Sequence, residues 1–337
     1  MPGRTPLRAL VAGLTLTTGA LLLSPLPASA AAQTKSIPVG DHPYDVALAQ
    51  SLGEAFVVDQ DSVTVVSLLT QRPLATIPTQ GTNQNAIALV RSSTHAYVTD
   101  FDSANLVDVD TELRQVARRI DVGKGAVDVA KVNTPKGQRA YVARRDAKQV
   151  VVVQTSSSKV VSRITVPGNP ETVTAAPGGK DVWVGSGNEG RVWVVDTSTG
   201  KVRKTIKITK VGPVASVAFA PDGKHAAVTG PGGLGVVRAS KGALAAFVPT
   251  PSLFPHSPGP NPGPVAYNGS GSRLLAVDST FPDVPQQGSV AVVETKHYRV
   301  KDQVPTGVEP VGLAVDTKRD VAYTANYGDD TITSYYP

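Results

Sequence analysis

A short strand phrase returns seven times along the chain, and no other feature of the sequence restricts the fold as tightly. It passes from an apolar or small residue to a bulky one, then to a β-branched one and a polar one. The clearest copies are Ala55-Phe56-Val57-Val58-Asp59, Ala96-Tyr97-Val98-Thr99-Asp100, Ala140-Tyr141-Val142-Ala143 and Val182-Trp183-Val184-Gly185. Weaker copies are Ala226-Ala227-Val228-Thr229, Leu274-Leu275-Ala276-Val277-Asp278 and Ala322-Tyr323-Thr324-Ala325-Asn326. The bulky position falls at 56, 97, 141, 183, 227, 275 and 323, at spacings of 41, 44, 42, 44, 48 and 48. A period in this range marks a repeat architecture in which each unit buries its apolar faces against its neighbours.

Each unit has the same internal order. A small apolar strand comes first, as in Asp45-Val46-Ala47-Leu48 or Ala215-Ser216-Val217-Ala218-Phe219. A turn follows, plainest at Pro221-Asp222-Gly223-Lys224 and Pro177-Gly178-Gly179-Lys180. Proline presets one turn torsion and glycine accepts positive φ, so these residues have a mechanical reason to turn the chain. The bulky strand is second. A β-branched strand is third, such as Val150-Val151-Val152-Val153 or Val192-Trp193-Val194-Val195. A fourth ends the unit, such as Leu74-Ala75-Thr76-Ile77-Pro78 or Arg163-Ile164-Thr165-Val166. Four strands in about 44 residues make a propeller blade. The reading is all-β, a single seven-bladed β-propeller over residues 31–337. The stretch Thr111 to Arg119 has helical propensity, but it occupies a turn and fourth-strand slot, so repeat register predicts a strand.

The last copy stops at its third strand, Thr331-Ile332-Thr333-Ser334-Tyr335. The segment Thr34-Lys35-Ser36-Ile37-Pro38-Val39-Gly40 reads like the fourth strands elsewhere. An open sheet edge invites aggregation. The N-proximal strand is therefore expected to complete the last blade and latch the ring.

The phrase Tyr97-Val98-Thr99-Asp100 resembles the tetrapeptide of the YVTN β-propeller repeats. The approach Pro221-Asp222-Gly223-Lys224-His225 and the tail Val194-Val195-Asp196-Thr197 with Thr199-Gly200-Lys201 are similar to the rest of that repeat. The resemblance covers nearly all of residues 34–337. It implies a propeller of an exported or cell-surface kind, related to propellers that include lactonases, lyases and dehydrogenase subunits. It transfers no catalytic residue, and copies five and six depart from it by lacking the aromatic and carrying insertions.

The first thirty residues read as a secretory signal peptide. Arg4 and Arg8 precede an uncharged apolar run from Ala9 to Leu23, and Ala28-Ser29-Ala30 offers a small-residue cleavage site after Ala30. The run is short for a membrane anchor, and no later segment reaches spanning length. Export of a free, monomeric protein is the expectation. Removing Arg4 and Arg8 lowers the net charge from +6 to +4. A balance this mild gives little reason to expect nucleic acid as a partner. The absence of cysteine excludes disulfides, thiol nucleophiles, cysteine–zinc sites and iron–sulfur clusters.

In a propeller the fourth-to-first and second-to-third loops share one face, called the upper face below. Its second-to-third loops carry Asp59, Asp61, Asp100, Asp102, Asp146, Glu189, Asp278, Asp283, Asp329 and Asp330, opposed by Arg144, Arg145, Lys148 and Arg191. The lower face collects Arg91, Lys131, Lys136, Arg139, Lys180, Lys224, Arg273, Lys318 and Arg319. An acidic upper mouth would attract cationic ligands. The carboxylate pairs Asp59/Asp61, Asp100/Asp102 and Asp329/Asp330 have the oxygen chemistry of calcium ligands but not the spacing of a calcium loop. No cofactor is expected, with calcium as a weak alternative. Two Pro-rich insertions, 250–263 and 278–288, rise on the same face, with Phe254 and Phe281 as apolar contacts for a wall or lid. Of the five histidines, only His42 and His256 are placed to face the mouth; His95 and His225 are expected to be solvated. No zinc-type His pair, Gly-x-Ser-x-Gly elbow or phosphate loop is present. Trp183 and Trp193 are read as blade packing.

The candidate site residues are thus His42, Asp59, Asp100, Asp102, Phe254, His256, Phe281, Asp283, Asn326 and Asp329. The expected use is recognition of a protein or polymer at the cell envelope, without catalysis. One alternative is a lactonase- or lyase-like enzyme using His256 with an upper-face carboxylate. Another is nucleic-acid binding on the lower face, which would weaken steeply with salt.

Overall fold

The computed structural model describes residues 34–255, 261–279 and 287–337. The expected leader, residues 1–30, lies outside them. The described residues form seven four-stranded antiparallel sheets. Their innermost strands, for blades 1 to 7 in chain order, are Asp45–Ala49, Gln84–Val90, Ala126–Thr134, Pro170–Ala175, Ser216–Phe219, Pro262–Tyr267 and Pro310–Asp316. Each lies against the innermost strands of the two neighbouring sheets, and Pro310–Asp316 meets Asp45–Ala49. The sheets therefore close into a ring of seven blades.

Six blades take four consecutive strands each; the seventh takes three from the C-terminal end and its outer strand from Lys35–Pro38. That strand pairs antiparallel with Thr331–Tyr335 in the register Lys35 to Ser334, Ile37 to Ile332 and Pro38 to Thr331. The latch expected from the sequence is present.

Alternation along each strand divides its residues between two neighbours. The buried apolar residues accordingly fall into seven clusters, each filling the gap between two successive blades. The bulky residue of the second strand always packs toward the next blade. Phe56 joins blade 2, Tyr97 blade 3, Tyr141 blade 4, Trp183 blade 5, and Tyr323 packs on blade 1. Trp193 is fully buried, and Trp183 stands edge-on to Phe219 at 4.9 Å. Both tryptophans are packing residues. The segment with helical propensity forms a turn and the strand Gln115–Asp121, as register requires.

One expectation fails on the lower face. His95 is not solvated. Its Nδ1 lies 2.6 Å from Oδ1 of the buried Asp108, and its Nε2 lies 3.0 Å from the Arg91 guanidinium. Ser158 of blade 3 donates to Asp108 Oδ2 at 3.0 Å, and Arg91 donates to Ser158. A buried carboxylate needs such partners because it has left water. Replacing Asp108 with alanine strands Arg91, His95 and Ser158 across the blade 2–blade 3 gap. The expected cost is about 3 kcal/mol in chemical denaturation, and a loss within about 0.5 kcal/mol, as at an ordinary surface site, would show the network to be passive.

Candidate functional site

The innermost strands start at the upper face, so their first residues line the central channel. One position repeats around the ring: Asp45, Ala86, Asp128, Thr172, Ser216, Pro264 and Gly312. Six of these seven residues, with Val311 and Leu313 on either side of Gly312, line a cavity of about 270 Å³. The wall is polar on most sides, with Tyr44, Asn85, Arg145 and Glu171 added to the two aspartates.

Asp45 and Asp128 serve as buckles between blades. Asp45 accepts from its neighbour's amide, Val46 N–H, at 2.8 Å and from Ile87 N–H of blade 2 at 3.0 Å. Asp128 repeats the arrangement with Val129 N–H at 2.7 Å and Val173 N–H of blade 4 at 2.7 Å. Ser216 makes a longer version, 3.4 Å from Val265 N–H of blade 6. Burial pushes the Asp45 carboxyl up to about 7 and that of Asp128 up to about 6, against the lowering effect of those amides. Asp128 itself adds to the upward push on Asp45, and Glu171 to that on Asp128.

Arg145 and Glu171 form a two-pronged ion pair across blades 3 and 4, with Nε–Oε2 at 2.7 Å and Nη2–Oε1 at 2.5 Å. The guanidinium also lies 5.5 Å from the Phe101 ring centre, within cation–π range. At the closing seam an aromatic trio edges the mouth. The Tyr327 ring stands 4.6 Å from His42 and 5.0 Å from Tyr44. Burial, and then contact with Tyr327, pushes the Tyr44 hydroxyl up to about 12.

The residues singled out in the sequence divide into three sets. His42 is exposed at the seam, and its backbone N–H donates to Asp330 Oδ1 at 2.8 Å. Asp102 and Asp329 are exposed acids, each tied to a neighbouring loop through Asn83 and Val308 N–H respectively. Asp59, Asp100 and Asn326 are buried and hold the second-to-third loops together. Asp59 Oδ2 accepts from Thr64 at 2.6 Å and Ser62 at 3.2 Å. Asp100 accepts from Thr82 and Ser103 backbone N–H, and Asn326 donates to Thr331 and Thr333. These three are internal braces, so the acidity of the upper surface is smaller than the sequence suggests. Phe254 also differs from expectation. It is 1% exposed and packs with Leu253, Val265 and Tyr267 in the gap between blades 5 and 6. The first insertion therefore starts as an anchored turn, Thr250–Leu253, with Pro251 in its first turn. His256, Phe281 and Asp283 lie outside the described residues.

Among the described residues, no three His, Cys, Asp or Glu side chains are grouped to hold a metal ion. No helix there is long and apolar enough to cross a membrane.

The sequence reading passed over Tyr44, Asp45, Asp128 and Glu171. A polar residue near the start of an otherwise apolar first strand was the available signal, because ring geometry aims that position at the axis.

A solved structure with the same arrangement is Kuenenia stuttgartiensis hydrazine synthase. It superposes with a TM-score of 0.77 over 88% of this chain and 96% of that one, at 20% identity. The chain is a seven-bladed β-propeller. Likeness at that identity concerns the fold alone. In sequence, the chain is 27% identical over 168 residues to the uncharacterized protein YncE of Salmonella typhi, and equally to that of Salmonella typhimurium strain LT2. The aligned part is 49% of this chain and 46% of those relatives, so it spans about half their length. No family profile matches.

Proposed function

We propose that this propeller is exported, loses a leader near Ala30, and acts as a non-enzymatic binding module at the cell envelope. In this reading it grips a protein or polymer through the channel mouth and the Pro-rich rim. One observation carries the reading: the charged side chains of the mouth already have fixed partners. Asp45 and Asp128 are held by amides of two blades each, and Arg145 is clamped to Glu171. A rim preorganised in this way loses little freedom when a ligand arrives. The aromatic trio at the seam adds flat surface with few rotatable bonds, suited to contact with a partner.

The raised Asp45 and Asp128 carboxyls favour a second reading, a lactonase- or lyase-like enzyme. A group titrating near neutrality is suited to general acid–base work. Both carboxylates are spent on backbone amides, which is why binding is preferred.

Two measurements test the proposal. Intact mass of the secreted product should start at Ala31. Purified protein should co-sediment with washed envelope material, and Arg145→Glu should cut retention about tenfold by setting like charges side by side. Retention unchanged in a folded Arg145→Glu variant, or no retention of the parent protein, would refute the mouth as the binding surface.

A further inference from the structure

The gap between blades 5 and 6 is built differently from the others. At its second-strand position stands Ala227, where five other blades place an aromatic. The third-to-fourth turn of the facing blade differs in the opposite sense. In blade 3 that turn ends at Ser158 (φ 52), whose hydroxyl meets Tyr97 OH at 3.2 Å across the gap. Blade 6 has Tyr298 (φ 54) at the matching place. Ala227 stands where those five blades have an aromatic, and Tyr298 stands where blades 3, 4 and 5 have Ser158, Gly200 and Gly242 and blades 1 and 2 have Gln71 and Arg114.

The exchange leaves a cavity of about 220 Å³ on the lower face. Tyr298 and Pro221 supply flat apolar walls. Asp222, His225 and Thr295 supply polar edges. At its inner side, Tyr267 is 8% exposed, and its hydroxyl is buried with no hydrogen-bond partner among the described residues. Leaving a hydroxyl unpaired costs free energy, so such a group invites a ligand that completes it. The lining carries one carboxylate, Asp222, and one imidazole, His225. The volume lies below the range of pockets for drug-sized ligands, about 300–1,000 Å³, and suits a single ring.

We infer that the cavity between blades 5 and 6 is a binding subsite for one neutral sugar ring. The apolar face of the ring would stack on Tyr298, and its hydroxyls would reach Tyr267 OH and Asp222. This site is on the opposite face from the channel mouth and stands independently of the mouth's proposed role.

The test is titration of the full chain with methyl β-glucopyranoside, methyl β-galactopyranoside and N-acetylglucosamine, read by ligand-observed NMR. At least one should saturate with a Kd on the order of 1 mM. Tyr298→Gly keeps the left-handed turn, as Gly200 and Gly242 do in blades 4 and 5, and removes the stacking wall. It should weaken binding about tenfold, with the melting temperature showing that the variant is folded. Tyr267→Phe should weaken binding about threefold or more and keeps the proposal falsifiable if Tyr298→Gly fails to fold. No saturation by any of the three sugars would overturn the site. So would affinity unchanged in the variants, or saturation by tetramethylammonium in place of sugar.

Discussion

Deleting residues 34–40 should lower the melting temperature by more than about 10 °C, the shift that a loss near 5 kcal/mol produces in a domain of this size. Several losses add. Ile37 is 1% exposed and packs with Val46, Ala55, Tyr323 and Ile332, joining blade 7 to blade 1. Its removal alone resembles a large core truncation, about 2–5 kcal/mol. The ladder between Lys35–Pro38 and Thr331–Tyr335 goes with it, as does the bond from Val39 N–H to Asp330 O at 2.9 Å. Thr331–Tyr335 then becomes an open edge, so soluble aggregates should accompany the destabilisation. Ile37→Asp, which keeps the backbone, should reproduce much of the effect. Differential scanning calorimetry on the chain lacking residues 1–30, with and without 34–40, measures it. A change under about 3 °C, the effect of roughly 1 kcal/mol, would mean that the ring is held without its latch.

The sequence is most legible where one residue answers to one packing demand. The bulky second-strand position fills each inter-blade gap, so its spacing gives the blade count and its weak copies mark the irregular gap at Ala227. Turn residues and the missing fourth strand give the topology. The site is less legible because loop acids can fold inward. Asp59 and Asp100 look like surface charges in sequence and are 0% and 1% exposed. Phe254 looks like a rim contact and plugs a gap instead. Asp45 opens an apolar strand and Asp128 stands third in another, and both pass for boundaries, since their role depends on amides in the next blade, 42 and 45 residues away. Local pattern carries the face of a strand; it does not carry the long-range hydrogen bond that decides whether a polar side chain is brace or ligand contact.

Stability should fall as pH rises from about 4 to about 7, the reverse of a protein held by ionised carboxylates. Burial pushes Asp59 up to about 7, Asp45 to about 7 and Asp128 to about 6. Between these values and the usual 3.8, the folded chain holds protons that the unfolded chain has released. Stability therefore has a negative slope with pH across that window and levels off above it. The contribution is complete below the unfolded value and lost by the folded one. Asp59 is the clearest case. It is fully buried, its Oδ1 has no partner among the described residues, and its Oδ2 lies where a Cβ on Gly40 would come within 2.5 Å. A rise of roughly three pH units at about 1.4 kcal/mol each puts its share on the order of 4 kcal/mol. Asp59→Asn cannot ionise and still offers an oxygen to Ser62 and Thr64. Its melting temperature should vary less than the parent's between pH 5 and pH 8 and should exceed the parent's at pH 8. A parent protein that gains stability over that interval, or an asparagine variant that is weaker at pH 8, would show that Asp59 is ionised in the fold. Gly40 joins the latch to blade 1 directly above this carboxyl, so the alkaline weakening should appear first as fraying of Lys35–Pro38, visible as faster amide exchange at Ile37.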